Sequence, residues 1–162
     1  MDGSDRGIQT EGFMTKDILL KIKGMQFLEE ETGEPLEIIT AGNYFNKDGK
    51  HYIKYEEVME GFQGSTQNLI KINGDTMEVT KKGLTNVHMV FQKNKKNRTC
   101  YHTPFGNLML GIEASGIEVR EEEEEIAIQV EYELEVNYEH LADCTISMNI
   151  RSKDAKEARL LD

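Results

Sequence analysis

Apolar and polar residues alternate with a period of two along most of this chain. Ile18, Leu20 and Ile22 alternate with Leu19, Lys21 and Lys23. From Ile126 to Val136 the apolar residues Ile126, Ile128, Val130, Tyr132, Leu134 and Val136 hold every even position, and Glu131, Glu133 and Glu135 hold odd ones. Cys144, Ile146, Met148 and Ile150 repeat the pattern against Thr145, Ser147, Asn149 and Arg151. This is the signature of strands with one buried and one wet face. No segment of comparable length carries a helical spacing.

The punctuation between these runs agrees. Asp48-Gly49 is a strong hairpin signal. Asn73-Gly74-Asp75 separates Leu69-Ile70-Lys71-Ile72 from Met77-Glu78-Val79, and a polar stretch from Asn94 to Asn97 separates Val87 to Phe91 from Arg98 to Tyr101. Thr103-Pro104-Phe105-Gly106 interrupts a strand. Proline cannot donate to a ladder, so it predicts a bulge, bend or corner there. Eight to ten strands with short connections predict an all-β, antiparallel, up-and-down arrangement. An open sheet with no covering helices would leave a long apolar face wet. Closure into a complete or nearly complete barrel removes that face and the edges together.

At 162 residues the chain fits one domain with a sizeable core. The expected division is a polar leader, tag scar or disordered arm over 1–13, one β-barrel domain over 14–152, and a charged tail or short helix over 153–162. The chain carries 30 acidic residues against 19 Lys and Arg, for a net charge of -11. That balance argues against general nucleic-acid binding, because the phosphate backbone is repelled at long range. The charges are uneven. No Asp or Glu lies between Val79 and Ile112, a stretch holding Lys81, Lys82, Lys93, Lys95, Lys96 and Arg98, whereas residues 121–125 are all Glu. Two solvated poles are the plain reading; a local anion site, or a basic patch docking on the acidic pole of a second copy, is the sharper one. No apolar run approaches the length of a membrane span. Cys100 and Cys144 read as free thiols in a reducing cytoplasm.

Several short motifs carry a resemblance. Gly42-Asn43-Tyr44, Tyr52-Ile53-Lys54-Tyr55-Glu56-Glu57, Gly64-Ser65-Thr66, Thr103-Pro104-Phe105-Gly106-Asn107-Leu108 and Tyr132-Glu133-Leu134 resemble, in order and spacing, those of the YwiB-like family of small bacterial proteins. The resemblance runs from about Lys16 to about Arg151. It implies a calycin-like, lipocalin-type barrel with an interior cavity. It implies no activity and carries over no catalytic residue.

The strand over 51–59 is the most informative. Ile53, Tyr55, Glu57 and Met59 share one face, and the apolar members predict that it looks inward. Glu57 would then be an inward carboxylate, requiring a partner or a proton because an unpaired buried charge costs several kcal/mol. A satisfied glutamate near the barrel rim, bonded to a Tyr or Arg, is one reading; a polar anchor for a ligand beside Tyr55 is the other. Tyr101 and Tyr132 also sit at core positions, where a tyrosine buries its ring and seeks a partner for its hydroxyl. Arg98 falls on the opposite face from Tyr101 by simple alternation, so a joint role needs a bulge between them. Tyr55, Glu57, Tyr101, Tyr132 and Arg98 are therefore the candidate ligand-binding residues. An eight-stranded or larger barrel can hold one small ligand among such groups.

No catalytic or metal-binding set emerges. His51, His88, His102 and His140 are scattered without metal-ligand spacing, and Cys100 and His102 stand two apart on one strand face, about 6.5–7 Å from each other. There is no phosphate loop, no zinc motif and no nucleophile elbow, and no cofactor is expected. Five consecutive Glu alternate in and out, so residues 121–125 read as a solvated hairpin tip, not a calcium loop. The leading expectation is a non-enzymatic barrel holding a small, partly apolar ligand. A filled barrel acting as an interaction module, such as a homodimer, is second, and an enzyme third. Neither nucleic acid nor membrane is an expected partner.

Overall fold

The computed structural model describes residues 16–25 and 37–153. The expected leader over 1–13 and all of the tail beyond Lys153 lie outside the described residues. Ten strands follow one another: β1 (Lys16–Lys23), β2 (Glu37–Lys47), β3 (Lys50–Glu57), β4 (Thr66–Asn73), β5 (Thr76–Gly83), β6 (Val87–Gln92), β7 (Lys96–Thr103), β8 (Gly106–Glu122), β9 (Glu125–Val136) and β10 (Glu139–Ser152). All neighbours pair antiparallel in the order β6-β5-β4-β3-β2-β1-β10-β9-β8-β7. The first strand sits against the last, which turns the meander into a ring. The ring is completed between β6 and β7, where the backbones of Asn86 and His102 exchange two hydrogen bonds of 2.9 Å and Asn94 N–H donates to Ala114 C=O. The result is a nearly closed all-β barrel.

Cross-strand register explains the interior. Ile53, Ile70, Val79 and Met89 stand directly opposite one another across β3 to β6, and all four are buried. Leu20, Ile22, Leu110, Ile112, Val130, Leu134, Ile146 and Met148 are buried in the same core from the other strands. Apolar side chains therefore occupy the middle of the barrel. Burial of each such side chain is worth about 1.5–3 kcal/mol, which is what holds the ring shut.

Turn chemistry follows the sequence where glycine is present. Asp48 and Gly49 both adopt positive φ, +54° and +79°, as a tight twisted hairpin between β2 and β3 demands. Of the bulge, bend or corner expected at Pro104, the structure has a bend. Pro104 occupies the two-residue turn between β7 and β8, where Thr103 Oγ1 accepts from Phe105 N–H at 3.0 Å and donates to Gly106 C=O at 2.8 Å. The true register shifts lie in β8, between Ala114 and Gly116, and in β10, between His140 and Ala142.

The up-and-down path gives the barrel two unlike ends. One end holds the turns after Lys47, Asn73, Gln92 and Glu122, which are charged and polar. The other, the mouth, holds the connections over 58–65, 83–86, 104–105 and 137–138. These carry Val58 and Phe62, Leu84, Phe105 and Tyr138. Among the described residues no helix is long and apolar enough to cross a membrane.

Candidate functional site

Moving one step from the apolar middle toward the mouth, the interior changes character. Tyr55, Asn68, Lys81 and Val87 form the next cross-strand row, and Glu57, Thr66 and Gly83 the row beyond. Asn68 is 3% exposed and Lys81 5%. Both are in phase with buried apolar neighbours, Asn68 with Ile70 and Ile72, Lys81 with Met77 and Val79, so the pleat carries them inward. Lys81 Nζ donates to Asn68 Oδ1 at 2.7 Å and to Glu57 Oε1 at 3.0 Å. Asn68 Nδ2 donates to the same carboxylate oxygen at 3.1 Å and to Thr66 C=O at 3.4 Å. Thr66 Oγ1 accepts from Thr85 N–H at 3.3 Å. A buried cation is thus neutralised by Glu57, which sits near the rim with its side chain 19% exposed. The rim position expected for Glu57 is met, with Lys81 and Asn68 among its partners.

Tyr55, 4% exposed, has no hydrogen-bond partner for its hydroxyl among the described residues. Burial pushes its phenol well above the ordinary range, with the charges of Glu57 and Tyr101 adding in the same direction. Tyr101 is half-buried and lines a cleft of about 430 Å³ at the mouth, together with Met59, Thr85, Thr103, Phe105 and Leu108. Phe62 closes one side, its ring meeting that of Phe105 edge-on at 5.6 Å. The cleft therefore spans three mouth connections and adjoins the polar rows through Tyr101.

Of the residues singled out from sequence, Tyr55, Glu57 and Tyr101 come together at the mouth. Tyr132 does not join them. Its ring packs edge-on against Phe91 at 5.1 Å, and its hydroxyl lies beside Cys144. Arg98 stays on the outer face, because β7 pairs with β8 without a register shift and supplies no bulge. There Arg98 donates to Glu135 Oε1 at 3.1 Å and its guanidinium lies 5.2 Å from the Tyr138 ring centre. Lys96 bonds the same carboxylate. These bonds, Lys96 first, hold Glu135 below the usual carboxylate range. Gly111, opposite both Arg98 and Glu135, makes room for the bridge, since a Cβ there would lie 2.7 Å from Glu135 Oε1.

Sequence reasoning passed over Lys81 and Asn68, although their phase was readable. It also passed over a buried histidine at the charged end. His51, 5% exposed, contacts Tyr44 Oη through Nδ1 at 2.8 Å and Glu121 Oε2 through Nε2 at 3.1 Å. Burial pushes the Tyr44 phenol up. Glu125 likewise reaches back to Asn149 Nδ2, so the acidic tip is tied to the barrel at both ends of the run. Cys100 and Cys144 are free. Cys144 faces the core opposite Tyr132 and Cys100 faces outward opposite Met109, which puts the two thiols on opposite sides of the sheet. Among the described residues no group of three or more His, Cys, Asp or Glu gathers as metal ligands.

Comparison with known proteins places this geometry in a family. A model described as "Domain of unknown function (DUF1934)" matches residues 20–148. The chain is 28% identical over 116 residues to "Uncharacterized beta-barrel protein YwiB" of Bacillus subtilis (strain 168), covering 70% of this chain and 80% of that protein. The crystal structure of ywiB protein from Bacillus subtilis superposes with a TM-score of 0.72 at 22% identity, over 90% of this chain and 99% of that one. The chain belongs to the DUF1934 family, a domain family of unknown function with a β-barrel fold.

Proposed function

We propose that this protein is a non-enzymatic, calycin-like barrel that binds one small, partly apolar molecule at its mouth. The observation that carries the reading is the cleft of about 430 Å³ lined by Tyr101, Met59 and Phe105. Its size falls within the usual range for ligand sites, and its lining is apolar with a few converging polar groups. The Glu57, Asn68 and Lys81 set lies behind this cleft, connected to it through Thr66 and the cleft residue Thr85. The apolar middle of the barrel makes this a shallow site at one end, unlike a lipocalin-type lumen running the length of the barrel. The raised phenols and the raised Cys144 thiol favour binding over catalysis, since burial holds each in its neutral, unreactive form. Two free thiols fit a cytoplasmic setting.

A second reading, assembly into a homodimer, is favoured by one feature. Val58 and Phe105 are each 80% exposed at the mouth and could be covered by another copy. Native mass spectrometry of protein purified from its own host tests both. A monomer with a small adduct, lost when Thr85→Trp fills the cleft, supports the binding barrel. A dimer without an adduct supports assembly and overturns it.

A further inference from the structure

We propose that the unpaired edge of β8, at the charged end of the barrel, joins the same edge of a second copy in a two-fold symmetric dimer. This contact lies away from the mouth and leaves the cleft there open. β7 pairs with β8 only as far as Glu113. The turn between β6 and β7 covers one residue more, where Asn94 N–H donates to Ala114 C=O. From Ser115 to Glu122, β8 continues against β9 alone, and no described residue pairs with its other edge. Along a strand, the face a side chain takes fixes the direction of its own backbone N–H and C=O. Buried Ala114 faces inward, and its carbonyl points to this edge. Ile117 and Val119 pack against the core beyond the register shift, so their backbone groups point to the same edge. Such an edge is a template for another strand.

Charge selects a second copy as the occupant, and it selects the register. A net charge of -11 on each chain opposes unspecific association, so a self-contact has to bring opposite signs together. Antiparallel pairing centred on Val119 sets Glu118 opposite Arg120 of the second copy, and symmetry repeats the pair. Sliding the copies by two residues sets Glu118 against Glu118 in one direction and Arg120 against Arg120 in the other. Like charges directly opposite are destabilising, so one register stands out. Glu118 and Arg120 are both exposed, and neither has an ion pair among the described residues. The same register carries the turn at Glu123 and Glu124 towards Ala114 of the second copy. There the Lys93–Lys95 turn packs, and neither lysine has an ion pair among the described residues. The acidic run of one copy thus meets the basic turn of the other.

The test is sedimentation equilibrium of the full chain over a concentration series. The parent is expected to show a monomer–dimer equilibrium that weakens as salt is added. Arg120→Glu should weaken the dimer about tenfold or more, because both cross-strand pairs turn from attractive to repulsive. Glu118→Arg should do the same. Mixing these two variants should restore association as a heterodimer, since every facing pair is again Glu against Arg. A folding defect in either variant could not produce that rescue. A parent that stays monomeric throughout overturns the proposal, as does a mixture of the two variants that stays monomeric. A dimer that survives Arg120→Glu but is lost in Phe105→Glu is a contact between mouths, and it overturns the proposal as well.

Discussion

Asn68 faces Lys81 directly across β4 and β5, and its side-chain oxygen accepts from the ammonium at 2.7 Å. The same amide's nitrogen donates to Glu57, so one side chain holds both members of the ion pair. Removing either charge breaks both its bond to the other charge and its bond to Asn68. This polar knot replaces apolar packing at the mouth, two residues along each strand from a level of Ile, Val and Met.

Lys81→Met should therefore destabilise the barrel by about 2–3 kcal/mol, because it deletes the buried ammonium and both of its hydrogen bonds, to Glu57 and Asn68. The rim exposure of Glu57 places the effect at the lower end of the range for a broken buried pair. Adding Glu57→Gln to Lys81→Met should recover part of the loss, since the carboxylate that faced the Lys81 ammonium is then removed as well. Urea unfolding of the two single variants and the double variant measures the coupling. Additive losses would show that the pair contributes nothing as a pair.

Deleting the Tyr55 hydroxyl has the opposite expectation. Tyr55→Phe removes a buried polar group that lacks a partner, so stability should hold or rise by up to about 1 kcal/mol. The pH dependence follows from the raised phenols of Tyr55 and Tyr132. Below about pH 10 both are neutral in the folded and unfolded chain, and their contribution to stability is fully present. As pH rises further, the unfolded chain ionises first and stability is lost. Thermal midpoints taken from neutral to strongly alkaline pH should fall above about pH 10, and less steeply in Tyr55→Phe and in Tyr132→Phe. Tyrosinate absorbance should show these two phenols titrating only on unfolding.

The barrel was legible because its information is local. Period-two alternation in β1, β9 and β10, and turns such as Asp48-Gly49, specify strands and connections one at a time. Phase also placed Tyr55 and Glu57 on the inner face. The hairpin between β9 and β10 was invisible for a physical reason. Asn137 and Tyr138 take positive φ, +53° and +71°, with no glycine to announce it, and Tyr138 is steadied by Arg98 across the outer face. The site was only half legible. Lys81 was grouped with its basic neighbours by charge, whereas its phase with Met77 and Val79 decides its position. The contact of His51 with Glu121 spans 70 residues and depends on how the ring closes, which no local pattern encodes.

Acid should weaken the outer bridge in a defined window. Glu135 is held below the usual carboxylate range by Lys96, then Arg98. A depressed carboxylate contributes stability that is present above its unfolded value, about 4.3, and lost as pH falls through the lower folded value. Glu135→Gln should thus lower the thermal midpoint at neutral pH, and the gap from the parent should close as pH drops below about 4. Added salt should narrow the same gap, because Arg98 is exposed. A gap that persists unchanged in acid would assign the loss to packing instead of charge.

Gly42 offers a test of how the barrel wall is sealed next to the site. Beyond Asn43, β2 no longer pairs with β3, and Gly42 lies where the two strands begin to part. A Cβ at this position would lie 2.6 Å from the backbone oxygen of Lys54 and 3.4 Å from Cβ of Tyr55. Backbone cannot rotate away as a side-chain end can, so Gly42→Ala must shift β3 itself. The expected cost is on the order of 2 kcal/mol, as for other overpacked interiors. Gly111→Ala is the matched control, because the nearest atom it meets, at 2.7 Å, is the mobile end of the Glu135 side chain, with Glu135 Cβ next at 3.1 Å and no backbone atom among its nearest contacts. Its cost should come mainly from disturbing the Lys96 and Arg98 bonds and should shrink at low pH, whereas that of Gly42→Ala should not change with pH. Because β3 carries Tyr55 and Glu57, the displaced strand in Gly42→Ala should also shift the amide resonances of Asn68 and Lys81 while leaving those around Glu135 in place.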